Sequence, residues 1–306
     1  MSQPAQLAPG AAVAFVGLGL MGLPMAANLA RAGYRVHARD ANSAALQAHQ
    51  AAFPAAMPAL DECSAAIMML PNGDIVREVL LEGREPLIRS LKPGTLIIDM
   101  SSSSPMSTRT LAEQLNRDGF DLIDAPVSGG VKRAVPGTLA IMAGGAAEQI
   151  SAARPLLEKL GNSIHLTGPI GTAHAMKALN NYVSAAGLMA AAEATIAAQK
   201  FGLDPQVVVD ILNASTGMNN STQNKFSQFI LSRKFNSGFS LGLMAKDLRI
   251  ALEVIESTGT PDWIASPVVT AANQAEAMLG GNEDHTGAVK LWEKEAHAQL
   301  GKQEGK

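Results

Sequence analysis

Short apolar runs recur through the first half of the chain, each closed by Gly, Pro, Ser or an acid. They are AVAFVG from Ala12, YRVHARD from Tyr34, AAIMMLP from Ala65, TLIIDMS from Thr95, DLIDAP from Asp121, TLAIMAGG from Thr138 and SIHLTG from Ser163. Helical stretches separate several of them, and that alternation predicts βαβ units and a mostly parallel sheet. The pattern changes after Gly168. A long Ala-rich stretch follows, with Gly187 its sole breaker, and then DPQVVVDILNAS, NKFSQFILSRKF, GLMAKDLRIALEVIESTG and SPVVTAANQAEAMLGG. These read as helices separated by turn residues. The chain therefore divides into an α/β domain over residues 1–167 and an all-α domain over residues 168–306.

The first run leads into Gly17-Leu18-Gly19-Leu20-Met21-Gly22, and LPMAANLARAG follows with helical character. A GxGxxG turn is common, but this one lies between a strand and a helix, and YRVHARD supplies the next strand. Asp40 follows Gly22 by 18 residues, close to the ~20 expected for an acid that accepts from the adenosine ribose hydroxyls. Gly17 permits the tight turn, Gly19 lets the backbone approach a pyrophosphate, and Gly22 lets the helix pack on its strand. The helix N-terminus offers free N–H groups to the phosphates. The first domain is thus expected to be of the Rossmann type. Asp40 would repel a 2′-phosphate, the next residue is Ala41, and strand alternation turns Arg39 to the other side. The expected cofactor is NAD rather than NADP.

Composition narrows the rest. Charged residues are 17% of 306, aromatics 4%, and the formal net charge is −3. The charged share lies below the roughly 25% of an average domain, which fits extensive burial or a subunit interface. No run of like charges argues for nucleic acid, and no apolar run approaches the ~18 residues of a membrane helix. The N-terminal apolar stretch has no basic residue before Arg31, so it does not read as a signal peptide. Cys63 is the single cysteine, which excludes an intrachain disulfide and fits a reducing, cytoplasmic setting. The histidines show no metal-site spacing, so no metal is expected.

Between Leu160 and Ala192 the one Lys, Arg, Asp or Glu is Lys177. Desolvation in an Ala-rich helix would lower the pKa of such an ammonium and suit it to proton transfer; a lysine snorkelling to solvent is the equal alternative. Asn181, one turn later, and His174, one turn earlier, share its helix face. In Asp124-Ala-Pro-Val-Ser128-Gly129-Gly130 a strand runs into paired glycines. Their N–H groups and the serine hydroxyl could cup a carboxylate, although an ordinary turn reads the same way. Ser102 and the Leu70-Pro71 pair end two further strands, where a cofactor would lie. Lys246 and Asp247 sit on a helix. The polar segment Asn219–Gln223 either lines a substrate pocket or caps a helix.

Taken together, these stretches resemble the β-hydroxyacid dehydrogenase family, the group of 3-hydroxyisobutyrate dehydrogenase and 2-hydroxy-3-oxopropionate (tartronate semialdehyde) reductase. FVGLGLMGLPMAANL resembles its cofactor motif, DAPVSGGVKRAVPGTLAIMAGG its substrate motif, GPIGTAHAMKALNN its catalytic motif and MAKDL its later lysine motif. The resemblance implies a Rossmann domain joined by a long helix to an all-α domain, in a homodimer or homotetramer. It implies catalysis by Lys177 with Asn181, and substrate binding by Ser128, Gly129, Gly130 and Asp247. Cofactor contacts would come from Gly17 to Gly22, Asp40, Leu70, Pro71, Ser102 and Lys246. The activity implied is reversible oxidation of a small 3-hydroxy acid by NAD. The 2-hydroxy-3-oxopropionate branch and a non-catalytic dinucleotide-binding protein are the alternatives. Ala173 stands where the family motif commonly has glycine. Lys177-Ala-Leu-Asn180-Asn181 differs from the Lys-x-x-His-Asn of 6-phosphogluconate dehydrogenases.

Overall fold

The computed structural model describes residues 6–301, and the chain divides into two compact units, Met1–Lys177 and Ala178–Lys306. The first unit holds strands β1 Ala12–Val16, β2 Arg35–Arg39, β3 Ala65–Met68, β4 Leu96–Asp99, β5 Leu122–Asp124, β6 Val127–Ser128, β7 Leu139–Gly144 and β8 Gly161–Gly168. Its helices are α1 Gly22–Arg31, α2 Ser43–Ala52, α3 Gly73–Arg77, α4 Pro105–Arg117, α5 Gly130–Ala134 and α6 Ala147–Leu157. The strands form one sheet in the order β2-β1-β3-β4-β5-β7-β6, with β8 on β7. The β2-β1-β3-β4-β5 portion is parallel. The two-residue β6, which the sequence pattern presents only as the approach to a turn, pairs antiparallel with β7.

The apolar runs are continuous because both faces of this sheet are covered. Along β1, Val13 and Phe15 join one buried cluster, with Ile67, Ile98 and Ile123. Ala12, Ala14 and Val16 join another on the opposite face, with Ala66, Met68 and Ile97. The period-two alternation of a strand thus serves two cores at once. The chain leaves β1 for β2 on one side and later returns to β3 on the other. The β1–β3 junction is therefore the switch point, where a doubly wound sheet opens a crevice at its carboxyl edge. Cys63 is buried beneath this sheet, and burial pushes its thiol up to about 11.

Helix α7, Thr172–Phe201, begins in the first unit and continues into the second. The second unit adds α8 Pro205–Ala214, a π-helical segment Thr222–Ile230, α9 Leu241–Ser257, α10 Ala265–Leu279 and α11 Val289–Glu295. Leu241, Met244, Ala245 and Leu248 of α9 pack with Val268, Val269 and Ala272 of α10, the i, i+3, i+4, i+7 spacing of an amphipathic face. α8 opens on Pro205 at its first position, with the Asp204 carboxylate accepting from the Gln206 and Val207 N–H groups. Two features escape the sequence pattern. NKFSQFI winds with π geometry, and α11 follows a 3-10 turn at His285–Ala288. No named strand lies in this unit among the described residues; its β contact is the isolated bridge Ser240–Asp284.

Candidate functional site

The glycine turn sits at the switch point. Gly17 has φ +97°, and a Cβ there would meet Met69 O at 2.2 Å. The turn is thus pressed against the end of β3. A Cβ on Gly22 would lie 1.8 Å from Gly17 O, so α1 leaves the turn by direct contact with it. At Gly19 nothing lies within 4 Å of a Cβ, which leaves open approach to the backbone. Leu18 is buried while Leu20 is 79% exposed; Met21 stands at the N-cap of α1. Leu18 N donates to Asp40 Oδ2 at 2.5 Å, and Asn42 N donates to Asp40 Oδ1 at 2.6 Å. The carboxylate at the end of β2 is thus fixed over the turn, with lone pairs left for further donors. These features fit a dinucleotide: an open glycine, a free helix N-terminus and an oriented acid.

The ends of β3 and β4 are cross-linked. Leu70 N donates to Ser101 Oγ at 3.0 Å. Asp99 accepts from Ser101 N at 2.9 Å and from Ser103 Oγ at 3.0 Å. Ser101 and Ser103 are buried, whereas Ser102 between them is half-buried and Pro71 is exposed. Ser101 and Ser103 hold the loop through these bonds, and Ser102, like Leu70, keeps part of its surface accessible.

Asp124, at the end of β5, is fully buried. Its carboxylate accepts from Gly171 N at 2.9 Å and from His174 N at 2.8 Å. These are N–H groups of the first turn of α7, which has no intrahelical acceptor for them. An anion at a helix N-terminus is also favoured by the helix dipole. The helix that carries Lys177 is thereby tied to the sheet one residue before its own start and again within its first turn. His174 is buried, and its Nδ1 lies 2.8 Å from Thr108 Oγ1, with Asp99 Oδ2 at 3.7 Å from Nε2. The sequence placed His174 on the face of Lys177; in the structure it belongs to this buried junction. Ala173 is fully buried in the same turn, and the helix accommodates its methyl. Replacing Asp124 with alanine would strand two N–H groups, each worth about 1–3 kcal/mol when left unsatisfied. We expect unfolding free energy to fall by roughly 2–4 kcal/mol in a urea titration, with Asp124→Asn losing less. An unchanged midpoint would contradict this capping role.

On α7, Lys177 is half-buried and Asn181 follows one turn later. In the second unit, Asn181 Nδ2 donates to Asp247 Oδ2 at 2.6 Å, and Lys246 Nζ lies 3.1 Å from Asp247 Oδ1. Asp247 is 2% exposed, and each of its oxygens meets one of these two neighbours. The neighbours Lys246 and Asp247 and the sequence-distant Asn181 form one network. In the first unit, Ser128 ends β6, and Gly129 and Gly130 follow with φ +131° and +61°. Two left-handed residues in succession require glycine. Lys132 and Arg133 stand in the short helix just after them. The segment Asn219–Gln223 is largely structural. Asn219 Oδ1 accepts from Ser221 N at 2.8 Å and Thr222 N at 3.1 Å, and Asn219 Nδ2 reaches Gly187 O at 3.3 Å. Ser221 and Thr222 are buried. Of the two readings of this segment, helix capping accounts for Asn219 and Thr222. Asp99, Ser101 and Ser103 have no part in the motif reading, and Asp124 enters it only as the end of a strand. Their signal was an acid closing an otherwise apolar strand.

Among the described residues, no group of three or more His, Cys, Asp or Glu is arranged to hold a metal. No helix there is long and apolar enough to cross a membrane.

The fold and these sites define a two-unit dinucleotide-binding oxidoreductase. A family model described as the NAD binding domain of 6-phosphogluconate dehydrogenase matches residues 12–168. One described as NAD-binding of NADP-dependent 3-hydroxyisobutyrate dehydrogenase matches residues 171–292. The 2-(hydroxymethyl)glutarate dehydrogenase of Eubacterium barkeri is 35% identical over 92% of this chain and 94% of its own. The 3-sulfolactaldehyde reductase of Escherichia coli K12 is 34% identical over 90% of this chain and 93% of its own. The solved structure of Mycobacterium tuberculosis 3-hydroxyisobutyrate dehydrogenase with L-serine superposes with a TM-score of 0.83. It has 32% identity and covers 92% of this chain and 99% of the other. The chain belongs to the β-hydroxyacid dehydrogenase family and is an NAD(P)-binding hydroxyacid oxidoreductase.

Proposed function

We propose that the chain reversibly oxidises a small acid with a hydroxyl on the carbon β to its carboxylate, using NAD and Lys177 as general acid–base. The observation that carries this reading is on α7: one turn after Lys177, the Asn181 amide is held by the buried Asp247. A proton carrier and an oriented hydrogen-bonding amide then lie side by side. 2-(Hydroxymethyl)glutarate and 3-hydroxyisobutyrate, named in two of the relatives, share a β-hydroxyl.

NAD, when bound, supplies the hydride acceptor for oxidation and, once reduced, the donor for the reverse reaction. Lys177 Nζ takes the hydroxyl proton in oxidation and returns it to the forming alkoxide in reduction. Asn181 orients the hydroxyl, and Asp247 orients Asn181 and Lys246. Ser128 Oγ and the Gly129 and Gly130 N–H groups hold the substrate carboxylate, and fixing that end sets the geometry at the reacting carbon. Gly17 to Gly22, Asp40, Leu70, Pro71, Ser102 and Lys246 hold the cofactor. Asn219 and Thr222 are spent on helix capping and give no preference for 2-hydroxy-3-oxopropionate over other acids. The exposed Val183, Phe201, Val207 and Ile211 support a homodimer or homotetramer built through the helical unit.

The test is NADH formation over 3-hydroxyisobutyrate, 3-hydroxypropionate, glycerate, serine, threonate, 4-hydroxybutyrate and the dicarboxylate 2-(hydroxymethyl)glutarate. Turnover of one or more of the 3-hydroxy acids is expected. NAD binding without turnover of any would favour a non-catalytic dinucleotide-binding protein.

Cofactor choice gives a second expected result. A 2′-phosphate beside the Asp40 carboxylate is a like-charge contact, which costs several kcal/mol. We expect kcat/KM for NAD to exceed that for NADP by at least about tenfold. Asp40→Ser should narrow that ratio, and a wild-type ratio favouring NADP would overturn the assignment.

A further inference from the structure

Lys225 lies in the π-helical segment Thr222–Ile230 of the second unit. Its Nζ donates to Ser184 Oγ at 3.4 Å. Ser184 is three residues past Asn181 on α7, on the same helix face and about 4.5 Å further along the axis. Both Lys225 and Ser184 are half-buried, so a ligand can reach them.

The groups packed around Lys225 leave its charge without a partner carboxylate in contact. Among the described ion pairs none includes Lys225. Asp284, the acid that acts on it electrostatically, is committed elsewhere. Its carboxylate accepts from Ser237 Oγ at 2.9 Å, Gly238 N at 2.9 Å, Thr286 N at 3.0 Å and Thr286 Oγ1 at 2.5 Å. His285 faces Lys225 as well; burial, with the Lys225 charge beside it, pushes the imidazole down to about 4, so it is neutral near pH 7. Its Nδ1 lies 3.1 Å from both Ser237 Oγ and Phe239 O, and its Nε2 is buried without a partner. Burial pushes Lys225 itself below the usual lysine range. An ammonium has three donors. One here is spent on a long bond to a hydroxyl. A partly buried cation in that state is stabilised by an anion that brings its own charge.

We propose that Lys225 and Ser184 bind a second anionic group of the substrate, a carboxylate or sulfonate, so that this enzyme prefers dianionic 3-hydroxy acids. The proposal rests on the reading of Lys177 and Asn181 as the reacting end. It adds a binding residue one helical turn beyond Asn181 and sets the substrate class: a short acid with a negative group at each end.

The test is calorimetric binding to the NAD-loaded protein of malonate, succinate, glutarate and 3-sulfopropionate, each against the monocarboxylate of equal chain length. A ladder of lengths is needed because the spacing of the two charges selects among dianions. At least one dianion is expected to bind about 10–100-fold more tightly than its monoanionic counterpart, the range of a charge-assisted contact. Lys225→Met should bring that ratio close to one, and Lys225→Arg should retain part of it. Ser184→Ala, which removes only a hydroxyl, should lower it a few-fold. The proposal is overturned if no dianion outbinds its counterpart, or if the preference survives in Lys225→Met. Binding here needs no turnover, so the catalytic reading fails separately, by the absence of NADH formation with every 3-hydroxy acid.

Discussion

Replacing Lys177 with alanine is expected to lower kcat by roughly 10²–10⁴, the range for losing a positioned general acid–base. The glycine turn and Asp40 are held to each other by bonds of their own, from Leu18 N and Asn42 N to the Asp40 carboxylate, so the dissociation constant for NAD should stay within about twofold of wild type. Structure should survive as well. α7 is anchored by Asp124 at Gly171 and His174, and alanine is the best helix former. Lys177→Arg tests the chemistry more sharply. It keeps a cation on the same face but cannot lose its proton near neutral pH, so it should be nearly as slow as alanine. An arginine variant with near-wild-type kcat would mean that Lys177 contributes charge rather than proton transfer.

Gly22→Ala should abolish cofactor binding and destabilise the first unit. Its methyl would lie 1.8 Å from Gly17 O, a backbone atom that cannot swing away as a side-chain tip could. Either α1 shifts off β1 or the turn opens. Overpacking of this kind costs about 1–3 kcal/mol or more, and both outcomes move the helix N-terminus away from the phosphates. Gly19→Ala is the matched control. Nothing lies within 4 Å of its added Cβ, so the melting temperature should hold while NAD affinity falls, because the methyl occupies the approach to the pyrophosphate. If Gly22→Ala binds NAD normally, or Gly19→Ala weakens the fold but not NAD binding, the assignment of this turn is wrong.

Much of the fold was legible because burial on both faces leaves uninterrupted apolar runs. AVAFV, AAIM and LIID could be read as strands without any alignment. β6 was not legible, since two residues before Gly129 carry no periodicity. The π winding of Thr222–Ile230 has no compositional mark either. α11 has seven residues, too few for a clear helical period after the Asp284 turn. At the candidate site, local motifs were readable and long-range partners were not. Lys177 stood out as the one Lys, Arg, Asp or Glu between Leu160 and Ala192. Asn181, Lys246 and Asp247 were each visible, but their joining depends on how α9 packs on α7. Asp99 and Asp124 looked like ordinary ends of strands. Their use as buried acceptors for a serine loop and a helix start follows from the order of the sheet, which places both at its carboxyl edge.

The most direct measurement is the fate of the hydrogen on the carbinol carbon. A 3-hydroxy acid turned over in the panel would be deuterated at C3 and incubated with wild-type protein and NAD, and the reduced cofactor examined by NMR. The account predicts deuterium on the nicotinamide ring at one face, with the rate suppressed in Lys177→Ala. Product formed without deuterium in the cofactor would contradict hydride transfer from the β-carbon and, with it, the assignment of Lys177.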